Sequence, residues 1–180
     1  GNMDFNDLIN RCEKYGLDVY FYSYLDSYKS PFDPDAEEFF DRVFGSVFKA
    51  SPKAKGLILV GESCCFPTTD ERANPLPLHA TKEGIADPRP KSGWFPCRDY
   101  PDWLNAVKRA VRKYSPEADI VFWTYNWGRA NEKYRVELIK SLPKDVTLQA
   151  TFEMFEVLAD KYPNHQTVTP DYSITFPGPG

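Results

Sequence analysis

The stretch Gly56–Ser63, "GLILVGES", constrains the chain more than any other part of it. Leu57 to Val60 are four consecutive aliphatic residues between two glycines. The run is too short for a typical helix, and it is apolar at both parities of a strand. A strand without a polar face must be covered on both sides, which is the situation of strands in a parallel sheet between helices.

Segments of the same kind recur between helical patterns. "LDVYFYSY" (Leu17–Tyr24), "ADIVFWTYNWG" and "DVTLQATFEMFE" read as strands from their β-branched and aromatic content, and "YSITFPGPG" begins a fifth. A first helix spans roughly Met3 to Tyr15, with Phe5, Leu8, Ile9 and Cys12 at helical spacing and Gly16 as its stop. A second opens with Asp33 as N-cap and Pro34 at the first helical position, and carries the stripe Phe40, Val43, Phe44, Val47 and Phe48. A third starts at Pro101 and Asp102, with Trp103, Leu104, Val107, Ala110 and Val111 on one side. The fourth runs from Asn131 to Leu142, with Tyr134, Leu138 and Ile139 inward. Between them, residues 65–100 form a long Pro-rich connection without clear periodicity, a length that is uncommon in compact domains and often belongs to a functional or mobile loop.

Strand and helix in alternation specify an α/β fold with right-handed parallel crossovers. Four to five strands are half of a TIM-type (β/α)8 barrel. The expectation for residues 1–180 is therefore a single partial barrel domain, which either pairs as a homo-oligomer or belongs to a longer chain. No stretch is long and apolar enough to span a membrane, and the net charge of −4 gives no electrostatic reason to expect nucleic acid. Nothing in the pattern calls for a cofactor, and the cellular compartment is left open.

Working residues in parallel α/β folds stand at the carboxyl ends of the strands. Those ends supply Tyr24 and Asp26, then Glu62, then Tyr125, Asn126 and Trp127, then Glu153 and Glu156. Carboxylates, aromatics and an amide suit glycoside hydrolysis, in which one carboxylic acid protonates the leaving oxygen and a second carboxylate acts as base or nucleophile. Glu62 follows an apolar strand, where desolvation favours a proton donor; the competing reading is a solvated loop residue or helix cap. In the fourth strand, period-two geometry puts Gln149, Thr151 and Glu153 on one face, which makes Glu153 the second carboxylate and Glu156 the spare; an ion pair with a neighbouring strand competes. The same periodicity puts Trp123, Tyr125 and Trp127 together. Trp127, at the strand's end, is the stacking candidate, whereas Trp123 reads first as core. Trp94 in the long connection is a lid residue or a loop anchor.

The cysteines compete for attention but carry less. Cys64, Cys65 and Cys97 with His79 fit no standard zinc spacing, and neither His79 nor His165 has a partner that would orient it toward a nucleophilic cysteine. No metal is expected.

The succession "YGLDVYFYSYLD", "DPDAEEFFDRVFGSVFKASP" and "KGLILVGES" resembles the middle of glycoside hydrolase family 20 barrels (β-N-acetylhexosaminidase-type) and of related uncharacterised bacterial barrels, over about Tyr15 to Glu156. In that family the corresponding strand ends in Gly-Gly-Asp-Glu and its final Glu is the general acid, so the resemblance implies that role for Glu62. Two positions depart from the pattern. The Asp that orients the substrate's acetamido group is Gly61 here, and the next strand's Trp-x-Glu is answered by "WTYNW", without an acid. The expectation is thus a barrel segment that cleaves or binds a glycan. The alternative is a non-catalytic carbohydrate-binding or structural domain of the same lineage.

Overall fold

The computed structural model describes residues 4–24, 29–61, 64–70, 73–75, 92–125, 127 and 130–150. The side chains of the short strands at 74–75 and 92–94 are outside that description. Helix α1 (Phe5–Glu13) is capped by the Asp4 carboxylate, which accepts from Asn6 N at 2.9 Å. It ends as expected at Gly16, whose φ of 68° is a left-handed conformation that glycine adopts without penalty. Strand β1 (Tyr20–Ser23) follows.

The next helix begins later than its sequence signals imply. Asp33 and Pro34 lie in a preceding turn, with Ala36 N bonded to Asp33 O, and α2 spans Ala36–Phe40. Asp33 is held instead by an ion pair with Lys29, which also reaches Asp35. A π-helical turn, Asp41–Gly45, leads without a break into α3 (Ser46–Ala50). The wider turn keeps Phe40, Phe44 and Phe48 in the core while Val47 comes to the surface. The remaining elements are β2 (Gly56–Val60), β3 (Cys65–Pro67), β4 (Asn74–Pro75), β5 (Ser92–Trp94), α4 (Tyr100–Arg112), β6 (Asp119–Trp123), α5 (Glu132–Ser141) and β7 (Val146–Gln149).

Among the described residues β1, β2, β6 and β7 form one parallel sheet in that order. The fold is therefore α/β, as the alternation of segments implies. Strand order following chain order is the result of right-handed crossovers that all step the same way, and such steps bring the helices to one side of the sheet. The packing agrees. Phe21 of β1 meets Phe5 of α1 and Phe48 of α3, and Phe122 of β6 meets Tyr100 of α4 at 4.6 Å. All five expected inward residues of α4, Trp103, Leu104, Val107, Ala110 and Val111, are buried. In α5 only Leu138 of the three expected is fully buried; Ile139 is exposed and Tyr134 half-buried.

The connection at 65–100 is more ordered than its proline content suggests. It contains β3, β5 and β4, paired antiparallel in that order. A buried polar clamp fastens this small sheet to α4. Thr68 Oγ1 donates to Asp99 Oδ2, Arg98 N donates to Asp70 Oδ2 at 2.7 Å, and Arg98 Nε donates to Asp99 Oδ1 at 2.8 Å. Asp70 and Asp99 are both buried, so satisfying their oxygens is a condition of the fold.

At the opposite end of the sheet, Gly56 lies in register with Asp119, and a Cβ at Gly56 would overlap the Asp119 carbonyl oxygen. Only glycine lets β2 and β6 pair there. Next to it, Tyr20 donates its hydroxyl to Asp119 Oδ2 at 2.7 Å. Burial, and secondarily this bond to a carboxylate, push the Tyr20 phenol up to about 12. A raised folded-state pKa means that the folded chain holds the proton more tightly than the unfolded one. The hydroxyl's contribution to stability is thus fully present below about pH 10, the ordinary tyrosine value, and is lost as pH climbs through about 12. Urea midpoints measured between pH 9 and pH 12 should fall less steeply in Tyr20→Phe than in the parent chain; parallel curves would rule out this linkage.

Candidate functional site

The carboxyl ends of the four parallel strands converge on one end of the sheet, and the face turned away from the helices can be read from the register. Phe21, Leu57, Ile120 and Val146 form one row, and Ser23, Leu59, Phe122 and Leu148 another; both rows include rings packed against helices. The intervening row, Tyr22, Ile58, Val121 and Thr147, and the next, Val60, Trp123 and Gln149, therefore point the other way. Tyr22 is 55% exposed and Tyr24 52%. Trp123 and Tyr125 are half-buried, and Trp123 sits 6.0 Å from Tyr22 and 5.0 Å from Tyr125, ring centre to ring centre. The face opposite the helices thus carries an aromatic cluster beside the hydroxyl of Thr147 and the amide of Gln149. The period-two expectation for β7 holds as far as the strand is described: Val146 and Leu148 face the helices, Thr147 and Gln149 the other side.

Trp127 behaves differently from its sequence neighbours. The strand ends at Trp123, and the backbone turns, with Trp127 N bonded to Thr124 O at 2.9 Å. That turn breaks the alternation and carries the indole back into the core, where it is 0% exposed. Phe95, Tyr100 and Phe122 surround it at 5.0 to 5.2 Å. The ring has no face left for a ligand, so the stacking role read from its position at the strand's end is corrected to that of a core anchor. Trp123, first read as core, is instead half-buried on the face turned away from the helices.

The same indole accounts for Gly61. Trp127 Nε1 donates to Gly61 O at 3.0 Å, and Cys64 N donates to the same oxygen at 3.0 Å. A Cβ at position 61 would overlap Trp127 Cδ1 and Nε1 and lie 2.7 Å from the Trp123 carbonyl oxygen. An aspartate, the residue of the family 20 pattern, cannot stand there while Trp127 occupies this place.

The remaining candidates fall as follows. Trp94 ends β5, opposite Cys65 on one side and Asn74 on the other. Asp26, Glu62, Asn126, Glu153 and Glu156 lie outside the described residues. So do His79 and His165. Cys64, Cys65 and Cys97 are buried in the core. Burial, together with the neighbouring Cys65 and Cys97, pushes the Cys64 thiol well above its ordinary value, which disfavours the thiolate that nucleophilic or metal chemistry requires. Tyr100 beside it is raised in the same way, first by burial and then by Cys64. Among the described residues no three His, Cys, Asp or Glu side chains are grouped to hold a metal ion.

Comparison with protein-family models finds no match to this chain, and neither do comparisons with curated proteins and with solved structures.

The Gly61–Trp127 contact has a measurable signature. Gly61→Ala should destabilise by about 1–3 kcal/mol through overpacking, and Trp127→Ala by about 3–5 kcal/mol through lost burial and a cavity. Urea unfolding of the double variant should show less than the sum, by about 0.5–3 kcal/mol, because the vacated indole site receives the methyl group. Part of the glycine penalty should persist, since the Trp123 carbonyl does not move away. Strict additivity would mean that the two residues are not coupled.

Proposed function

We propose that the chain is a carbohydrate-active, glycoside hydrolase-like barrel segment, with β1, β2, β6 and β7 as consecutive strands of a TIM-type (β/α)8 barrel. The observation that carries the proposal is the aromatic and amide face toward the strand ends, Tyr22, Trp123 and Tyr125 beside Thr147 and Gln149. Flat apolar rings next to hydrogen-bonding groups match the two surfaces of a sugar, its C–H face and its hydroxyl rim. Strand order that follows chain order, with helices on one side, supports the barrel.

In this reading Glu62, directly after the Gly61 at the end of β2, is the general acid, and Glu153, beyond β7, is the second carboxylate. Tyr24, Asp26, Tyr125, Asn126, Glu156 and Trp94 contact the glycan. The seat of Trp127 on Gly61 argues for direct carboxylate chemistry, because no acetamido-orienting Asp fits at position 61 and the second carboxylate must come from the protein.

The same observation favours a second reading, a glycan-binding domain without turnover. A panel of aryl glycosides separates the two. The parent chain should release aryl alcohol from at least one of them, and Glu62→Gln should lower kcat by about 10²–10⁴-fold with sugar affinity retained, the range expected for loss of a general acid. Sugar binding with no hydrolysis of any member would establish the second reading. Unchanged turnover in Glu62→Gln would remove the role of Glu62.

A further inference from the structure

The exposed apolar side chains are unevenly placed. Among the described residues, none of the large ones lies on β2, α4 or β6, the elements at the middle of the sheet. They gather at its two margins. Around the outermost strand β1 stand Phe5 and Leu8 of α1, Leu17 before the strand and Val47 of α3, between 37% and 61% exposed. Beside them an apolar groove of about 270 Å3 opens between β1 and the helical stretch that ends in α3, lined chiefly by Phe21, Val43, Phe44, Val47 and Phe48. At the other margin α5 leads into the outermost strand β7 and exposes Val136 and Ile139, one turn apart on one face. Exposed apolar surface gathered in this way marks a contact with another chain.

The two margins also carry opposite charge. Residues 4–18 hold Asp4, Asp7, Glu13 and Asp18 against Arg11 and Lys14, a net −2. Lys53, paired with Glu13, lowers that figure to −1 without changing its sign. Residues 132–144 hold Lys133, Arg135, Lys140 and Lys144 against Glu132 and Glu137, a net +2. Asp145, next in the chain, is already held by Lys108 and Arg112 of α4. One margin is thus apolar and acidic, the other apolar and basic, so each complements the other and not itself. The sheet gives the geometry of such a pairing. Its four described strands are parallel and follow chain order, so every crossover steps the same way, from β1 at one edge to β7 at the other. A sheet that keeps stepping in this way closes on itself at eight strands in the TIM-type barrel, twice the four present here.

We infer that two copies of this chain close one eight-stranded barrel about a two-fold axis, with β1 of each copy beside β7 of the other. The inference rests on the barrel reading above and names the source of the second half. The two interfaces are identical by symmetry, and closure leaves no strand edge exposed. It also places the row Tyr22, Ile58, Val121 and Thr147 in a packed interior, which accounts for a strand tyrosine that is 55% exposed in the single copy. The carboxyl ends of all eight strands then surround one mouth, so the candidate site is complete only in the pair.

Sedimentation velocity of the 180-residue chain over a concentration series tests it. The mass should reach twice 20.7 kDa and grow no further. Val136→Glu with Ile139→Glu, and separately Leu8→Glu with Leu17→Glu, should each raise the dimer dissociation constant by at least about tenfold. Cross-linking with a carbodiimide needs no variant: in a mixture of ordinary and heavy-isotope-labelled chains, peptides that join two copies should link carboxylates of residues 4–18 to lysines of residues 132–144. A monomer at every concentration, growth beyond two copies, a dimer weakened from one margin only, or cross-links between copies that omit these two segments overturns the inference. The aryl glycoside panel reads the carbohydrate proposal separately: a two-copy barrel that neither binds nor cleaves any sugar would overturn that proposal alone.

Discussion

The seat of the Trp127 indole on the backbone of Gly61 is the contact around which this end of the molecule is organised. One hydrogen bond, from Nε1 to the Gly61 carbonyl, ties the exit of β2 to the turn after β6. Around it, Phe95 comes from the segment after β5, Tyr100 from α4 and Phe122 from β6. Four separate stretches of chain therefore share one buried ring. A buried indole without a partner for its N–H would be costly, and the Gly61 oxygen supplies that partner where a side chain on residue 61 would have kept it away.

From this contact follows the division of labour between the two faces of the sheet. The helix side is filled with phenylalanine, leucine and the buried tyrosine and cysteines, and burial holds Cys64 and Tyr100 in their neutral forms. The other side has its large aromatics at the strand ends, partly exposed and touching one another. Withdrawing Trp127 into the core leaves Trp123, at the end of β6, and Tyr125 just after it as the rings of this stretch on the side away from the helices. The small sheet of β3, β5 and β4 is held to α4 by the clamp of Thr68, Asp70, Arg98 and Asp99, so the connection after β2 is a built part of the site's frame.

Legibility in the sequence differed from element to element for physical reasons. The run Leu57 to Val60 could only be a covered strand, and the inward residues of α4 followed from a 3.6-residue period over 13 positions. Helix starts were less readable: Asp33 and Pro34 carry the chemistry of an N-terminus, but they lie in a turn before the helix, where Asp33 pairs with Lys29. The three short strands within 65–100 were hidden because strands of two or three residues show no periodicity, and their pairing is set by partners distant in the chain. Among the site candidates, Tyr24 was legible as a residue at the end of the first strand, whereas Tyr22 was not singled out and the inward swing of Trp127 was invisible, since it depends on where β6 stops.

The sequence by itself determined the class of fold and the supply of carboxylates, amides and aromatic rings at the strand ends, because periodicity and the position of a residue in a strand are local properties. Only the tertiary structure decided which rings face outward. It did so through one steric fact, that the space a Cβ at position 61 would occupy is filled by an indole arriving from residue 127. A contact across 66 residues leaves no trace in either local pattern, yet it selects Trp123 over Trp127 as the ring on the face away from the helices and excludes the aspartate that the family resemblance calls for.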